Sequence, residues 1–335
     1  MPIFVFLAIA YGSWVYAYYV CWGEVRKHHS VITGNGLIAG EVLLVALIYI
    51  IWLQLLLYGP GQQPNLPLYR LIEDPHEKSE GHRAIDPPIV FSCDPQGFPI
   101  WCSNCHSIKA ERSHHSSRHG YCVPRFDHYC TWIGSLVGKR NFRLFVQFCV
   151  WFLLFFIYVG VSSAVYAKDM VKHTGRLNPN VIVLFVLCAF WMAMLVAMSG
   201  QYLYYVAVNQ AAIEDLELRR NKRSGPLVDK FYNVRHQNTG YVLRVNPFKE
   251  NVFDKGLSAN WLEIMGHNPL GWFLPLGSGV KQPPIHTDGD TYEKILGDYT
   301  ETPSQKWILN ALERIQAGDY ITKMSFPTSS DAPSF

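Results

Sequence analysis

The chain has 335 residues, of which 49% are hydrophobic and 16% charged, with a formal net charge of +3. Soluble domains carry roughly 25% charged residues, so the deficit calls for either a large buried core or a bilayer. The small net charge, with no basic block interleaved with aromatic residues, excludes nucleic acid as a partner.

Taken in chain order, the apolar runs decide between core and bilayer. Residues 3–21 contain no charge. They lack a basic leader and a small-residue cleavage site, and they are too long for a signal-peptide core, so they read as a first membrane helix. Met1 lies almost at the membrane, which leaves room for an N-terminal extension. A short loop over about residues 23–35 leads to a second helix. Its uncharged stretch runs over 42–58, and its apolar character begins near Gly36 with only Glu41 inside. Residues 144–167 and 181–208 are also uncharged and are joined by a short loop, 168–180. Crossing the hydrocarbon takes about 20 apolar residues in a helix, and soluble helices rarely run that far without a charge. The predicted architecture is therefore an all-α membrane protein with four transmembrane helices. Trp14, Tyr16, Tyr18, Tyr19, Trp22, Tyr202, Tyr204 and Tyr205 crowd the run ends, as interfacial residues do.

The polar segments complete the division. Residues 1–58 hold helices 1 and 2, and 59–88 form a Pro-, Gly- and charge-rich cytosolic linker. Residues 89–141 form a small Cys-rich zinc-binding domain, 142–208 hold helices 3 and 4, and 209–335 are a polar cytosolic region with a Pro/Ser-rich end expected to be disordered. Lys139, Arg140 and Arg143 precede helix 3, and Arg219, Arg220, Lys222 and Arg223 follow helix 4, which places both flanks in the cytosol. Arg26, Lys27, Lys168, Lys172 and Arg176 lie on the opposing loops, so the bias is modest. Four of the eight cysteines fall within residues 102–130. That clustering suits metal or thiol chemistry in a reducing compartment rather than a disulfide framework.

Cys102 and Cys105 have the spacing of a two-thiolate zinc knuckle. His115 follows after nine residues and Cys122 after six more. A Cys3His set of this kind makes a closed structural zinc site, whose ligation supplies folding free energy that a segment poor in apolar residues lacks. Next comes Asp127-His128-Tyr129-Cys130. A free thiol has a pKa near 8.5, and a neighbouring imidazole either takes its proton or, as a cation, lowers that value. A carboxylate beyond the imidazole fixes its tautomer and stabilises its charge. By itself such a string is more often a surface loop.

Context changes that weighting. Cys102, Cys105, Lys109, Arg112, His115, Cys122, Asp127, His128, Cys130, Trp132, Gly138 and Asn141 fall in ungapped register between helices 2 and 3. With the four-helix plan, the segment resembles the DHHC-type protein S-acyltransferases, or palmitoyltransferases, in a variant with a DHYC motif. The resemblance implies catalysis by Cys130, His128 and Asp127, with Cys102, Cys105, His115 and Cys122 on a structural zinc. It also implies fatty acyl-CoA as donor, an acyl-Cys130 intermediate, and cysteines of membrane-associated proteins as acceptors at the cytosolic face of the bilayer. It further implies an acyl cavity between the helices. Ser162, Ser163, Ala193 and Ala197 are candidate lining residues, and Lys139 and Arg140 are candidates to meet CoA phosphates.

Three departures from the family pattern stand out. The positions that hold a second zinc in the family are here Ser116, His119, Tyr129 and Leu136, which implies one ion and a loop held instead by contacts such as those of Tyr129 and Leu136. The family's Thr-Thr-x-Glu reads Ala211-Ala212-Ile213-Glu214, so the hydroxyl that helps orient the aspartate is gone. The C-terminal motif reads Asn246-Pro247-Phe248, then Asp254, Gly256, Asn260 and Trp261. The alternative function is a non-catalytic membrane scaffold of the same family. A transporter would want ionisable residues within its spans, and these spans have almost none.

Overall fold

The structure is a computed structural model, described here over residues 1–71, 84–224, 230–247, 250–286 and 289–323, with backbone alone over 221–224 and at 323. Four helices are long and apolar enough to cross a membrane: α1 (Pro2–His29), α2 (Val31–Tyr58), α3 (Phe142–Thr174) and α4 (Pro179–Ala207). Their ends follow local chemistry. The Ser30 hydroxyl accepts from Thr33 N–H at the start of α2. Asn178 caps α4 ahead of Pro179 in its first turn, and Gly175, left-handed at φ 79°, closes α3.

The loop expected over 23–35 is not there. α1 stays helical to His29, and only Ser30 separates it from α2. The polar residues of that stretch made it read as a loop, but charges emerging at a membrane surface do not end a helix. Its second half, Tyr16–His29, winds in wide π-type turns.

α3 is the central helix. In its most apolar window 61% of residues are buried, against 22% for α2 and 28% for α4. Phe145, Phe152, Phe155 and Phe156 are fully buried along it, and Trp191 of α4 stacks on Phe156 at 5.9 Å between ring centroids.

The remainder corrects the all-α description. Between α2 and α3 the chain forms β1 (Val90–Cys93) and three successive two-stranded antiparallel hairpins. These are β2–β3 (Trp101–Cys102, Ser107–Ile108), β4–β5 (His114–Ser116, Tyr121–Val123) and β6–β7 (His128–Cys130, Ser135–Val137). β1 pairs with β8 (Phe231–Arg235), which continues through β9 (Tyr241–Val245) to β10 (Thr322–Lys323) in one four-stranded sheet. α4 gives way to α5 (Ala212–Ser224), and the C-terminal region adds α6 (Leu257–Met265), α7 (Leu270–Phe273), α8 (Tyr292–Leu296) and α9 (Gln305–Gln316). Hydropathy patterning misses strands of two or three residues, because so short a run shows no alternation. Part of the Pro- and Gly-rich segment after α2 is packed. Gln63 donates to the Ile108 carbonyl (2.8 Å) and accepts from Ala110 N–H (2.9 Å). Tyr69 and Ile85 share a small core with Phe91, Tyr292 and Tyr299. The Pro/Ser-rich end beyond 323 and Phe248 of the C-terminal motif lie outside the described residues.

A buried charge network locks the C-terminal region onto the hairpins. The Arg112 side chain is fully buried and forks onto Glu214 of α5 with two contacts of 2.7 Å. It also donates to Glu301 (3.2 Å) and to the Asn209 side chain (2.9 Å). Lys139 reaches the other oxygen of Glu301 at 2.9 Å. Burial works against the Glu301 carboxylate, but Lys139, Arg112 and Arg125 outweigh it and hold its carboxyl far below the usual range. Asn260 is fully buried and donates to the Ala207 carbonyl (2.8 Å), seating α6 against the end of α4. Removing one member of a buried ion pair costs about 3–5 kcal/mol because the other charge is stranded. Arg112→Met is therefore expected to lower the unfolding temperature of the purified chain sharply. An unchanged melting curve would show that the network carries no stability.

Candidate active site and metal centre

Each of the last two hairpins presents a cross-strand pair from its antiparallel register. In β4–β5, His115 stands opposite Cys122. The β2–β3 turn brings Cys102 and Cys105 to meet them, and the four ligand atoms all lie within 4.8 Å of one another. His115 Nδ1 is 3.6 Å from Cys102 Sγ and 3.3 Å from Cys105 Sγ. A tetrahedral ion with Zn–S of about 2.3 Å and Zn–N of about 2.1 Å sets a sulfur and a nitrogen about 3.6 Å apart. The donor set thus has the spacing and chemistry of a closed tetrahedral site, and the cluster could hold a metal ion.

In β6–β7 the equivalent pair is Tyr129 opposite Leu136. Leu136 is buried, and the Arg118 guanidinium lies 4.0 Å from the centroid of the Tyr129 ring. Ser116 Oγ and His119 Nδ1 are hydrogen-bonded at 3.0 Å. Ser116, His119, Tyr129 and Leu136 are thus engaged in a hydrogen bond, a cation–π contact and apolar packing. The hairpin is fixed further by Asn141. Its side chain donates to the Leu136 carbonyl (2.9 Å) and accepts from Gly138 N–H (2.9 Å). A Cβ on Gly138 would stand 2.6 Å from Val123 and 2.7 Å from the Pro60 carbonyl, so only glycine allows this approach. Trp52 of α2 donates to the Ile133 carbonyl in the turn (3.1 Å).

The β6 strand and Asp127 just before it bring Asp127, His128 and Cys130 to the helix ends next to the start of α1, where Pro2 abuts Gly134 of the hairpin turn. The Asp127 carboxylate is buried, with 2% of the residue exposed. Its Oδ2 accepts from His128 Nδ1 (2.6 Å) and from the Tyr202 hydroxyl (2.8 Å), and its Oδ1 accepts from the Ala212 backbone N–H (2.6 Å). Besides His128, Asp127 is thus held by a tyrosine near the end of α4 and by a backbone N–H that opens α5. Sequence reasoning placed Tyr202 only in the interfacial belt. Aromatic residues at a helix end are ordinary there, and nothing in the spacing pointed to Asp127. Glu214 keeps a structural part, accepting from Ala211 N–H (2.8 Å) while holding Arg112.

His128 packs edge-on against Phe145, with its side chain 30% exposed. Burial of the ring opposes its cation. Hydrogen bonds to Asp127 and Cys130 and the charges of both outweigh that, holding its pKa up at about 9. Cys130 is 3% exposed and faces a small apolar cavity of about 10 Å³. Its walls include Val5 of α1, Phe148 and Phe152 of α3, and Trp191 and Met198 of α4, with Trp132 of the hairpin turn. Ser162, Ser163, Ala193 and Ala197 are not among the residues lining it. Ser162 instead hydrogen-bonds Tyr16 (2.8 Å) and the Tyr158 carbonyl (2.5 Å). Lys139 is engaged by Glu301 and the Thr300 carbonyl, and Arg140 by the Tyr58 carbonyl at 3.0 Å. Both are thus held by the protein's own acceptors.

The model of the family described as DHHC palmitoyltransferase matches residues 96–219. Among curated proteins, the chain is 35% identical to palmitoyltransferase PFA5 of Candida glabrata, covering 98% of this chain and 93% of that one. It is 34% identical to palmitoyltransferase PFA5 of Eremothecium gossypii, over 97% and 93%. It is 31% identical to palmitoyltransferase PFA5 of Saccharomyces cerevisiae, over 100% and 95%.

Hydrogen bonds to charged groups are worth about 1.5–3 kcal/mol. Tyr202→Phe strips one donor from the buried Asp127 carboxylate and is expected to slow acyl loading by about tenfold or more. Fluorescence size-exclusion should show a folded chain. Wild-type loading in this variant would mean that Tyr202 only packs.

Proposed function

This chain belongs to the DHHC palmitoyltransferase family and is a protein palmitoyltransferase; from that premise we propose that it works through an acyl-Cys130 intermediate, with His128 moving the proton and Asp127 holding the ring. The observation that carries this reading is a buried Asp127 carboxylate bonded to His128, whose pKa is held up by Asp127 and Cys130, with the thiol facing an apolar cavity.

The raised pKa of His128 suits an imidazolium facing a thiolate at neutral pH. In the first half-reaction the Cys130 sulfur attacks the thioester carbonyl of a fatty acyl-CoA. The new S–C bond forms, the CoA S–C bond breaks, and the imidazolium proton passes to the departing CoA sulfur. In the second, a substrate cysteine gives its proton to His128 and attacks the acyl carbonyl. Cys130 leaves as thiolate beside the restored imidazolium. The Asp127 carboxylate keeps the proton-bearing Nδ1 pointed at itself, so that Nε2 serves the sulfur atoms.

The cluster of Cys102, Cys105, His115 and Cys122 suits zinc as a structural ion, which would fix the first two hairpins relative to each other and so support the third. The Cys-rich segment and the C-terminal region are assigned to the cytosol, where thiols stay reduced and acyl-CoA is supplied, so the acceptors are cysteines of membrane-associated proteins exposed on that side. The domain division 1–58, 59–88, 89–141, 142–208 and 209–335 serves this reading, with the segment 89–141 as the catalytic unit and the four helices as its acyl-holding base. A scaffold without turnover finds no favouring contact in a site so assembled.

Three outcomes are expected. A clickable fatty acyl-CoA should label the wild-type chain through a hydroxylamine-sensitive bond and leave Cys130→Ser unlabelled; equal labelling of both would sink the intermediate. Cobalt substitution should show one thiolate-ligated ion per chain, lost on Cys122→Ser together with the folded state; two such ions would contradict the single-zinc reading. The third concerns pH. A pKa raised above that of a free imidazole means that the charged form persists through neutrality and is lost only as pH rises through about 9. The initial loading rate, corrected for Cys130→Ser background, should therefore hold across neutral pH and fall near pH 9. A fall centred near the free-histidine value of about 6.5 would contradict the ion pair.

A further inference from the structure

The last turns of α1 and α3 lie at the ends of the helices away from Cys130. There they gather five side chains that acyl transfer does not use: Glu24, His28 and His29 from α1, and Asp169 and His173 from α3. Glu24 is 2% exposed. Among the described residues, its side-chain partners are imidazoles: His173 Nδ1 at 2.8 Å and His29 Nε2 at 3.2 Å. Arg26, the nearest arginine in sequence, turns away, stacked 4.0 Å over Trp22 and bonded to Asn35 at 2.8 Å. A buried carboxylate needs a compensating positive charge, and neutral imidazoles supply only dipoles.

The wide turns of this part of α1 make the cluster. In an α-helix, at about 100° per residue, a side chain five positions on lies about 140° round the axis. In the i→i+5 turns over Tyr16–His29, Glu24, His28 and His29 share one face. That face meets α3, where the His28 and His173 rings stack at 4.2 Å between centroids. The ligand atoms of Glu24, His28 and His173 all lie within 4.8 Å of one another. His29 Nε2 also lies 3.6 Å from Asp169 Oδ2, so a second carboxylate stands behind the first. His28 and His173 are exposed, and Glu24 lines a surface cleft with Lys27 and Arg176, which leaves a path from solvent.

We propose that Glu24, His28 and His173 form a divalent transition-metal site of the zinc class, distinct from the Cys-rich cluster, that ties the ends of α1 and α3 together. Two imidazoles and one carboxylate are a donor set that zinc accepts with a position left for water. His29 and Asp169 supply the outer hydrogen bonds that orient such ligands. The ion compensates the buried Glu24 carboxylate by direct ligation, the two imidazoles binding it through their free ring nitrogens. The clamped helices are the two that contribute Val5, Phe148 and Phe152 to the cavity beside Cys130.

The test is equilibrium dialysis of the full-length chain in detergent against micromolar Zn2+, comparing wild type with Glu24→Gln and His173→Gln. Both variants are expected to hold one equivalent fewer than wild type, with acyl loading of Cys130 within twofold of wild type and an unchanged size-exclusion profile as the signs of intact folding. Cobalt in the extra wild-type equivalent should show d–d bands without the thiolate charge-transfer absorption of the Cys-rich cluster. If one variant fails to fold, the other alone decides. Equal zinc in wild type and the folded variants, or a thiolate band on the extra equivalent, would overturn the site. The metal count does not depend on turnover, so inactivity in all proteins would count against the proposed mechanism and not against this cluster.

Discussion

A carboxylate sealed from water must find donors for both oxygens, and at Asp127 those donors come from three different parts of the chain. The imidazole of His128 is its neighbour on β6, the Tyr202 hydroxyl comes from the end of α4, and the Ala212 N–H opens α5. Leaving one such group unpaired costs about 1–3 kcal/mol, more for a charge. The hairpin, the fourth membrane helix and the helix after it are therefore held in one relative position by a group of three atoms. The next link outward is Glu214, two residues beyond Ala212. It binds Arg112 between the first and second hairpins, and Arg112 in turn holds Glu301 of the C-terminal region. Site geometry and tertiary assembly are thus one network, with the Asp127 carboxylate at its inner end.

The three hairpins meet the same structural need by different chemistry. Strands of two or three residues bury too little surface to hold themselves, and each hairpin needs an outside constraint. For the first two, a cluster that could hold a metal ion spans the turn of one and the cross-strand pair of the other. The third pairs Tyr129 with Leu136, with Arg118 against the Tyr129 ring, Trp52 bonded to its turn and Asn141 closing its base. These contacts are individually weak, but they come from three directions.

Much of this was legible in the sequence, and the misses have physical causes. Helix existence followed from uncharged runs, since a bilayer imposes a length and an exclusion of charge that little else imitates. The grouping of Cys102, Cys105, His115 and Cys122 followed from spacing, because a tetrahedral ion tolerates few loop lengths. The loop expected after residue 22 failed because polar residues report where a helix leaves lipid rather than where it ends. The strands were invisible because their pairing is set by turns such as those at Gly120 and Gly134, which leave no periodicity in two or three residues. Tyr202 was missed for a different reason. Its partner is 75 residues away, and an aromatic residue at a membrane surface already has an explanation. The loss of two threonines signalled that Asp127 needed another donor, but no local pattern could say which residue supplied it.

The position of the cavity joins the chemistry to the membrane. Cys130 faces a small apolar cavity walled by α1, α3 and α4, so the side chains on that side of its sulfur are apolar. The space holds about one water molecule, so any longer occupant has to displace side chains from its walls. Met194 and Met198 line it beside the rigid rings of Phe152 and Trp191. Methionine is unbranched and polarisable, and it reshapes a wall at low cost. Phe152 and Trp191, at 5.0 Å between centroids, cannot yield in the same way. With one adaptable wall and one fixed wall, the cavity beside Cys130 widens toward the methionines before it widens toward the rings.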